Sequence, residues 1–456
     1  MKDRFGFDWS KIQGAPFWSK PQLGRRLFFR HIASAVGGYF LLPSRPMETV
    51  AKAAVATKGT AKTCIFIMLQ GAPSHTDTFD LKEGSWLPAA QFNPTSYGDV
   101  RFPQALMPKI AEHVGAGSIA LLRSVRAWAG VHGLMQSWVQ IGRNPVSALA
   151  KISPHIGSVI SLELSKGNGQ TLPAFLSLNG QAAAGSGYLP SEHSPFQHSA
   201  GAALQNVSHR DGTARFDVRY GLLQEIDNES RYLNDIGAGP GEMAAWNQRA
   251  RLLMYNSNVD RIFNFDQNEK NRYGNTAFGN ACITARNLVR ADMGTRFIQI
   301  NFGSWDHHAN IYTPNAQLTP MARQFDGGLG MLLSDLNTEG LLDQTLVVAQ
   351  GEFGRTVGPL NANGGRDHFL QQTALFAGAG IRGGRALGAT NATGSDTIET
   401  GWHRDRYVRA EDIEATIYSA MGIDWTTIRR DDPLKRGFEY VPFADRDLYG
   451  PIHELW

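Results

Sequence analysis

The chain has 456 residues, 42% hydrophobic and 19% charged, the balance of an ordinary globular protein. A formal net charge of +3, with the basic residues scattered, excludes a surface built for nucleic acid or an anionic membrane. Two cysteines are too few for a disulfide framework or a zinc site built on thiolates.

The first element is not part of a fold. Gly24-Arg25-Arg26-Leu27-Phe28-Phe29-Arg30 sets paired arginines before two aromatics, and an uncharged run from Ile32 to Pro43 follows. Small residues then gather, with an Ala-x-Ala-like Ala54-Val55-Ala56. This is the order of a twin-arginine export signal: a basic segment, a modest apolar segment and a small-residue cleavage site. The expectation is a leader over 1–56, the twin-arginine machinery as a partner, and a periplasmic or secreted mature protein. The apolar run is shorter than the roughly 20 residues that cross a bilayer, so no permanent membrane span is expected.

The α/β domain is expected over 57–456. It opens on Thr63 to Leu69, an unbroken apolar run of the kind found in strands buried on both faces. Similar runs recur at Ser118–Leu122, Phe175–Leu178, Arg296–Asn301, Thr345–Ala349 and Ala374–Ala377. Helical patterns lie between them, at Phe278–Arg290 and Gln324–Asn337. The alternation predicts a doubly wound, mostly parallel sheet flanked by helices. The segment 185–275, rich in Gly, Ser, Asn and charge, breaks the rhythm and reads as a loop and helical insertion. Cys64 falls in a strand and Cys282 in a helix, both as buried free thiols.

Metal-ligating residue types crowd just beyond the predicted strands, where α/β sheets place their sites. They are Ser74-His75-Thr76-Asp77-Thr78-Phe79-Asp80, Gly303-Ser304-Trp305-Asp306-His307-His308, and Gly351-Glu352-Phe353-Gly354-Arg355-Thr356, with Arg366-Asp367-His368-Phe369 further on. Carboxylates and imidazoles in four segments at one sheet edge suit Zn²⁺, Mn²⁺ and related divalent ions. Trp128, Trp138 and Trp305 read as core or rim.

In wording and order these segments resemble the sulfatase-like family catalogued as domain of unknown function fifteen-oh-one, within the alkaline phosphatase and sulfatase superfamily. The resemblance is carried by Leu69 through Asp80, Trp305-Asp306-His307-His308, Gly351 through Thr356 and Gly365-Arg366-Asp367-His368, and extends to about Gly422. It implies an alkaline-phosphatase-like fold with one or two divalent metal ions (Zn, Mn, Ca or Mg). It also implies hydrolysis of a small anionic ester, or of a sulfated or phosphorylated glycan. Asp306, His308 (or His307) and His368 match one ligand set, and His308 is preferred because the family phrase reads Trp-Asp-Thr-His. Asp77 and Glu352 match the carboxylates of a second set, whose histidine is replaced by Phe353, with His75 as the substitute. Asp367 is expected to orient His368.

The nucleophile departs from the superfamily pattern. The comparable helix is Gly133–Ile141, closing at Gly142-Arg143, and ten residues back from Gly142 stands His132 rather than a cysteine. A formylglycine mechanism is thereby excluded. His132 at a helix start could serve as nucleophile, general acid or ligand. Thr78 is the competing nucleophile, a bound hydroxide could replace both, and Arg355 is a candidate clamp on the substrate's oxygens. A non-catalytic descendant that keeps a metal and binds a glycan or protein is the alternative.

Overall fold

The computed structural model describes residues 55–165, 170–232, 239–315 and 317–456; all but the last two residues of the leader expected over 1–56 lie outside them. Eight strands form the central sheet: β1 (Thr63–Leu69), β2 (Ile119–Arg126), β3 (Phe175–Leu178), β4 (Phe196–His198), β5 (Phe297–Phe302), β6 (Thr345–Gln350), β7 (Gln371–Ala377) and β8 (Arg385–Leu387). Their order is β8-β2-β7-β6-β1-β5-β3-β4. All pairings are parallel except those of β7, which runs antiparallel to both β2 and β6.

β1 shows why its run is apolar throughout. Ile65, Ile67 and Leu69 enter one core, while Cys64, Phe66 and Met68 enter the other. Alternation at period two, with both faces covered, leaves no polar side. The first core is closed by α1 (Pro108–Gly115), by Ala277–Ala291 and by Leu318–Thr338, whose Ala322, Phe325, Leu329, Leu332, Leu333 and Leu336 repeat at helical spacing. The second is closed by α2 (His132–Ile141), α3 (Ile156–Leu164) and a late helix, Ala410–Ala420. Cys64 and Cys282 are buried free thiols whose pKa burial pushes up, which makes them inert.

The sheet is wider than the apolar runs predict. β2 extends through Arg123 because that side chain is only 9% exposed, with its Nε 3.0 Å from Asp80 Oδ1. β7 begins at buried Gln371, whose Nε2 donates to the Arg123 carbonyl at 2.7 Å. The two edge strands are three residues each, too short to stand out as runs. One of them, β4, falls inside the segment 185–275, which otherwise carries helices at Gly212–Tyr232, Gly239–Leu253, Ser257–Phe263 and Gln267–Arg272. Among the described residues no helix is long and apolar enough to cross a membrane.

Candidate metal centre

Neighbouring strands β1, β5 and β6 end in register, Leu69 beside Phe302 and Met68 beside Gln350. The loops that follow bring Gly71, Asp306 and Glu352 to one edge. Gly71 is dictated by crowding: it has φ 98°, and a Cβ there would lie 2.7 Å from the backbone nitrogens of Trp305 and Asp306. Its N–H donates to Glu352 Oε1 at 2.9 Å. β2 ends at the same edge and leads through Gly130 to His132, the first residue of α2. Because β7 is antiparallel, its beginning lies there too, which delivers His368 three residues before Gln371. A two-residue ribbon then pairs His368 with Arg355.

Each of three imidazoles is anchored through Nδ1 to an oxygen. His132 Nδ1 lies 2.5 Å from Glu352 Oε1, His368 Nδ1 2.7 Å from the Gly130 carbonyl, and His308 Nδ1 3.0 Å from Asp367 Oδ1. Oxygen acceptors assign the Nδ1 protons, so in the neutral rings each Nε2 offers a lone pair. All three Nε2 atoms turn to Asp306 Oδ1, at 3.3 Å for His132, 2.8 Å for His308 and 3.6 Å for His368. The Nε2 atoms of His308 and His368 are themselves 3.2 Å apart. Lone pairs and a carboxylate oxygen facing one another at these distances call for positive charge between them; the Arg355 guanidinium, which donates to Asp306 and His308, supplies part of it, and protons or a metal ion would supply the rest.

The donor set fits an ion. Tetrahedral zinc with bonds of 2.0–2.1 Å sets its ligand atoms about 3.3 Å apart, within the 2.8–3.6 Å spread around Asp306 Oδ1. His132, Asp306 and His368 offer ligand atoms that all lie within 4.8 Å of one another. His132 Nε2 is buried without a hydrogen-bond partner, as is Glu352 Oε2. Glu352 sits behind His132 as the carboxylate of a carboxylate–histidine pair, and its hydrogen bond is the main cause that raises the His132 pKa. Phe353 packs its ring 4.7 Å from both His132 and His368, an apolar wall that fixes the two imidazoles.

Arg355 is spoken for. Only 1% exposed, it donates to the carbonyls of Ala72, Gly71 and Arg366, to His308 and to the Asp306 carboxylate, which leaves little of it for a substrate. Burial pulls the guanidinium pKa down and Asp306 opposes that pull. Burial likewise pushes Asp306 up, but the Arg355 hydrogen bond and charge carry it below the usual carboxylate range.

The other sequence candidates stand apart from this cluster. Asp77 is fully buried and accepts from Arg366 Nε at 2.6 Å, Arg366 Nη2 at 3.1 Å and the Tyr312 hydroxyl at 2.7 Å. Thr78 is buried and donates to the Ser74 carbonyl at 2.7 Å. His75 is buried with Nε2 2.9 Å from the Gly394 carbonyl, and burial lowers its pKa. Of the adjacent histidines, His308 faces Asp306, whereas His307 is buried and held neutral by burial, its pKa down to about 4. Asp367 orients His308, not His368, whose anchor is the Gly130 carbonyl. No sequence signal marks that carbonyl.

The family model described as Protein of unknown function (DUF1501) matches residues 61–432, and the chain belongs to that family. No curated protein matches it. Solved structures similar to it include a sulfatase, an alkaline phosphatase and a protein of the alkaline phosphatase superfamily. One is Ps i-CgsB in complex with k-i-k-neocarrahexaose, at 12% identity and TM-score 0.41, covering 85% of this chain and 77% of that one. Another is the lipoteichoic acid synthase LtaP from Listeria monocytogenes, at 9% identity and TM-score 0.40, covering 84% and 76%. A third is an alkaline phosphatase superfamily protein from Vibrio parahaemolyticus, at 12% identity and TM-score 0.38, covering 81% and 69%.

Proposed function

We propose that the chain is an exported, metal-dependent hydrolase of phosphate or sulfate esters. The observation that carries this reading is the convergence of three Nδ1-anchored imidazoles and Asp306 on one partly open point. His132, Asp306 and His368 would hold the ion, with His308 at its rim. Two or more nitrogen donors suit zinc better than calcium, magnesium or manganese, which prefer oxygen. When bound, such an ion supplies Lewis acidity toward an ester oxygen and a site that acidifies water.

The protein's own groups do the rest. Glu352 and the Gly130 carbonyl hold the Nδ1 protons of His132 and His368 and so keep both rings turned inward. Arg355 fixes Asp306 from beneath. The side chains of Asp306 and His308 are 44% and 43% exposed, which leaves an approach for a small anion. His308, backed by Asp367 and with its lone pair at Nε2, is placed to take a proton from an attacking water. With Thr78 turned into Ser74, water is the attacking group and His132 a ligand.

One observation favours a second reading, a non-catalytic protein that binds a glycan or another protein: Arg355 already neutralises the carboxylate that the ion would use. Metal analysis of the wild type beside Asp306→Ala and His368→Ala, with aryl phosphate and aryl sulfate assays on the same samples, separates the two. Stoichiometric metal and turnover lost in both variants is the expected result; folded, metal-free and inert wild type overturns the hydrolase. Export is read from Arg25 and Arg26, and retention of an Arg25→Lys, Arg26→Lys double variant in the cytoplasm tests it.

A further inference from the structure

Where β3 and β4 begin, at the sheet edge opposite the candidate metal centre, lies a cavity of about 510 Å³. Leu172, Ala174, Pro195, Phe196, Leu253 and the exposed Trp246 give it apolar walls. Four polar side chains in its lining form a relay. Ser161 Oγ lies 3.0 Å from His193 Nδ1, His193 Nε2 lies 3.4 Å from Glu192 Oε1, and Arg249 Nη2 donates to Glu192 Oε2 at 2.6 Å. Ser161 is carried by α3, and Glu192 and His193 by the short turn Ser191–His193. Ser161 and His193 are 1% and 6% exposed, so a substrate would reach them through the cavity.

The direction of the relay decides what it can do. Glu192, paired with Arg249, is a carboxylate and only accepts, which assigns the ring proton to Nε2 and leaves the lone pair on Nδ1. The Ser161 hydroxyl therefore donates to that lone pair. Burial lowers the His193 pKa, which keeps the ring neutral and its lone pair available. Helix hydroxyls elsewhere turn back to the carbonyl one turn earlier, as Ser137 does to Gly133 and Thr284 to Asn280, both at 2.9 Å. Ser161 meets an imidazole instead. A hydroxyl on a neutral imidazole that a carboxylate orients from behind is what makes serine a nucleophile, and roles rather than fold or chain order identify it.

We propose that this cavity is a second active site, which hydrolyses neutral carboxylic esters of apolar acyl groups with Ser161 as nucleophile and His193 as base. Ser161 Oγ bonds to the carbonyl carbon as its proton passes to His193 Nδ1. The carbon–oxygen bond to the alcohol breaks, and the alcohol leaves with that proton. Water then bonds to the acyl carbon and gives a proton to Nδ1. The bond to Oγ breaks, Oγ takes the proton back, and the carboxylic acid departs. Glu192 is a positioning residue that holds the Nε2 proton, and Arg249 balances its charge, so the cavity favours an uncharged substrate. The apolar walls receive the acyl chain.

The test uses chelator-treated protein, so that no metal contributes, with p-nitrophenyl acetate and octanoate as substrates and a fluorophosphonate as covalent probe. The expected result is turnover that prefers the octanoate, and a probe adduct located at Ser161 by peptide mass spectrometry. Ser161→Ala, with its fold checked by thermal midpoint, should lose both. His193→Gln should lower kcat roughly 10²–10⁴-fold. Glu192→Gln should lower kcat with KM unchanged, whereas Trp246→Ala should raise KM for the octanoate alone. Folded wild type that neither turns over ester nor takes the probe at Ser161 overturns the site, and so does turnover unchanged in Ser161→Ala.

Discussion

Asp77 and Asp306 stand beyond the ends of neighbouring strands, and an arginine meets each of them. Asp77 and Arg366 are both fully buried, two hydrogen bonds join them, and Tyr312 takes a further lone pair. Asp306 is 44% exposed, and the nitrogens around it include two imidazole Nε2 atoms whose Nδ1 protons are committed elsewhere. A carboxylate with every lone pair satisfied in a dry place holds the fold together. One at which unspent lone pairs converge beside solvent can do chemistry. Residue type and position after a strand are the same for both, so the difference lies in partners alone.

The largest expected effect comes from breaking the satisfied pair. Asp77→Ala strands a buried guanidinium and should cost roughly 3–5 kcal/mol in denaturant unfolding, with metal content of the folded fraction unchanged. Asp306→Ala should lose the metal, and because it leaves the buried Arg355 guanidinium without its carboxylate it should cost stability as well. Loss of metal with Asp77→Ala at wild-type stability would erase the distinction. Next, an ion at one hundred times its Kd should stabilise the wild type by about 2.7 kcal/mol, seen as a raised thermal midpoint that chelator removes and His368→Ala never shows. Glu352→Gln keeps the shape but not the charge behind His132, and should weaken metal binding by about 10–100-fold in competition titrations; unchanged affinity would mean that Glu352 only packs.

A separate effect concerns pH. His155, buried under the sheet, has its pKa lowered from 6.5 to about 3 by burial. The unfolded chain therefore takes up that proton first, and the stability present above pH 6.5 is lost as pH falls toward 3. His155→Asn retains an acceptor for the Gly157 N–H at the start of α3 and should flatten the acid limb of the stability curve. An unchanged slope would assign that limb to other groups.

Much of the sheet was legible because an apolar run between polar bursts has few other uses. The edge strands were too short to read, and the end of β2 and the start of β7 hide behind Arg123, Gln371 and Gln372, polar side chains that the tertiary structure buries. Within the site, Asp306, His308 and His368 stood out by residue type, and His132 by counting back from Gly142. Their anchors did not, because a backbone carbonyl at Gly130 has no letter of its own. The Asp77–Arg366 pair was equally hidden, since its members lie 289 residues apart.

The reversed strand β7 has a consequence for the order in which the molecule is made. It lies between β2 and β6 in the sheet and bonds to both. A nascent chain therefore displays His132, Asp306 and Glu352 well before the segment that joins the two halves of the sheet and carries His368 with it. Up to that moment the donors are unassembled, and a chain stalled short of His368 lacks the last of them.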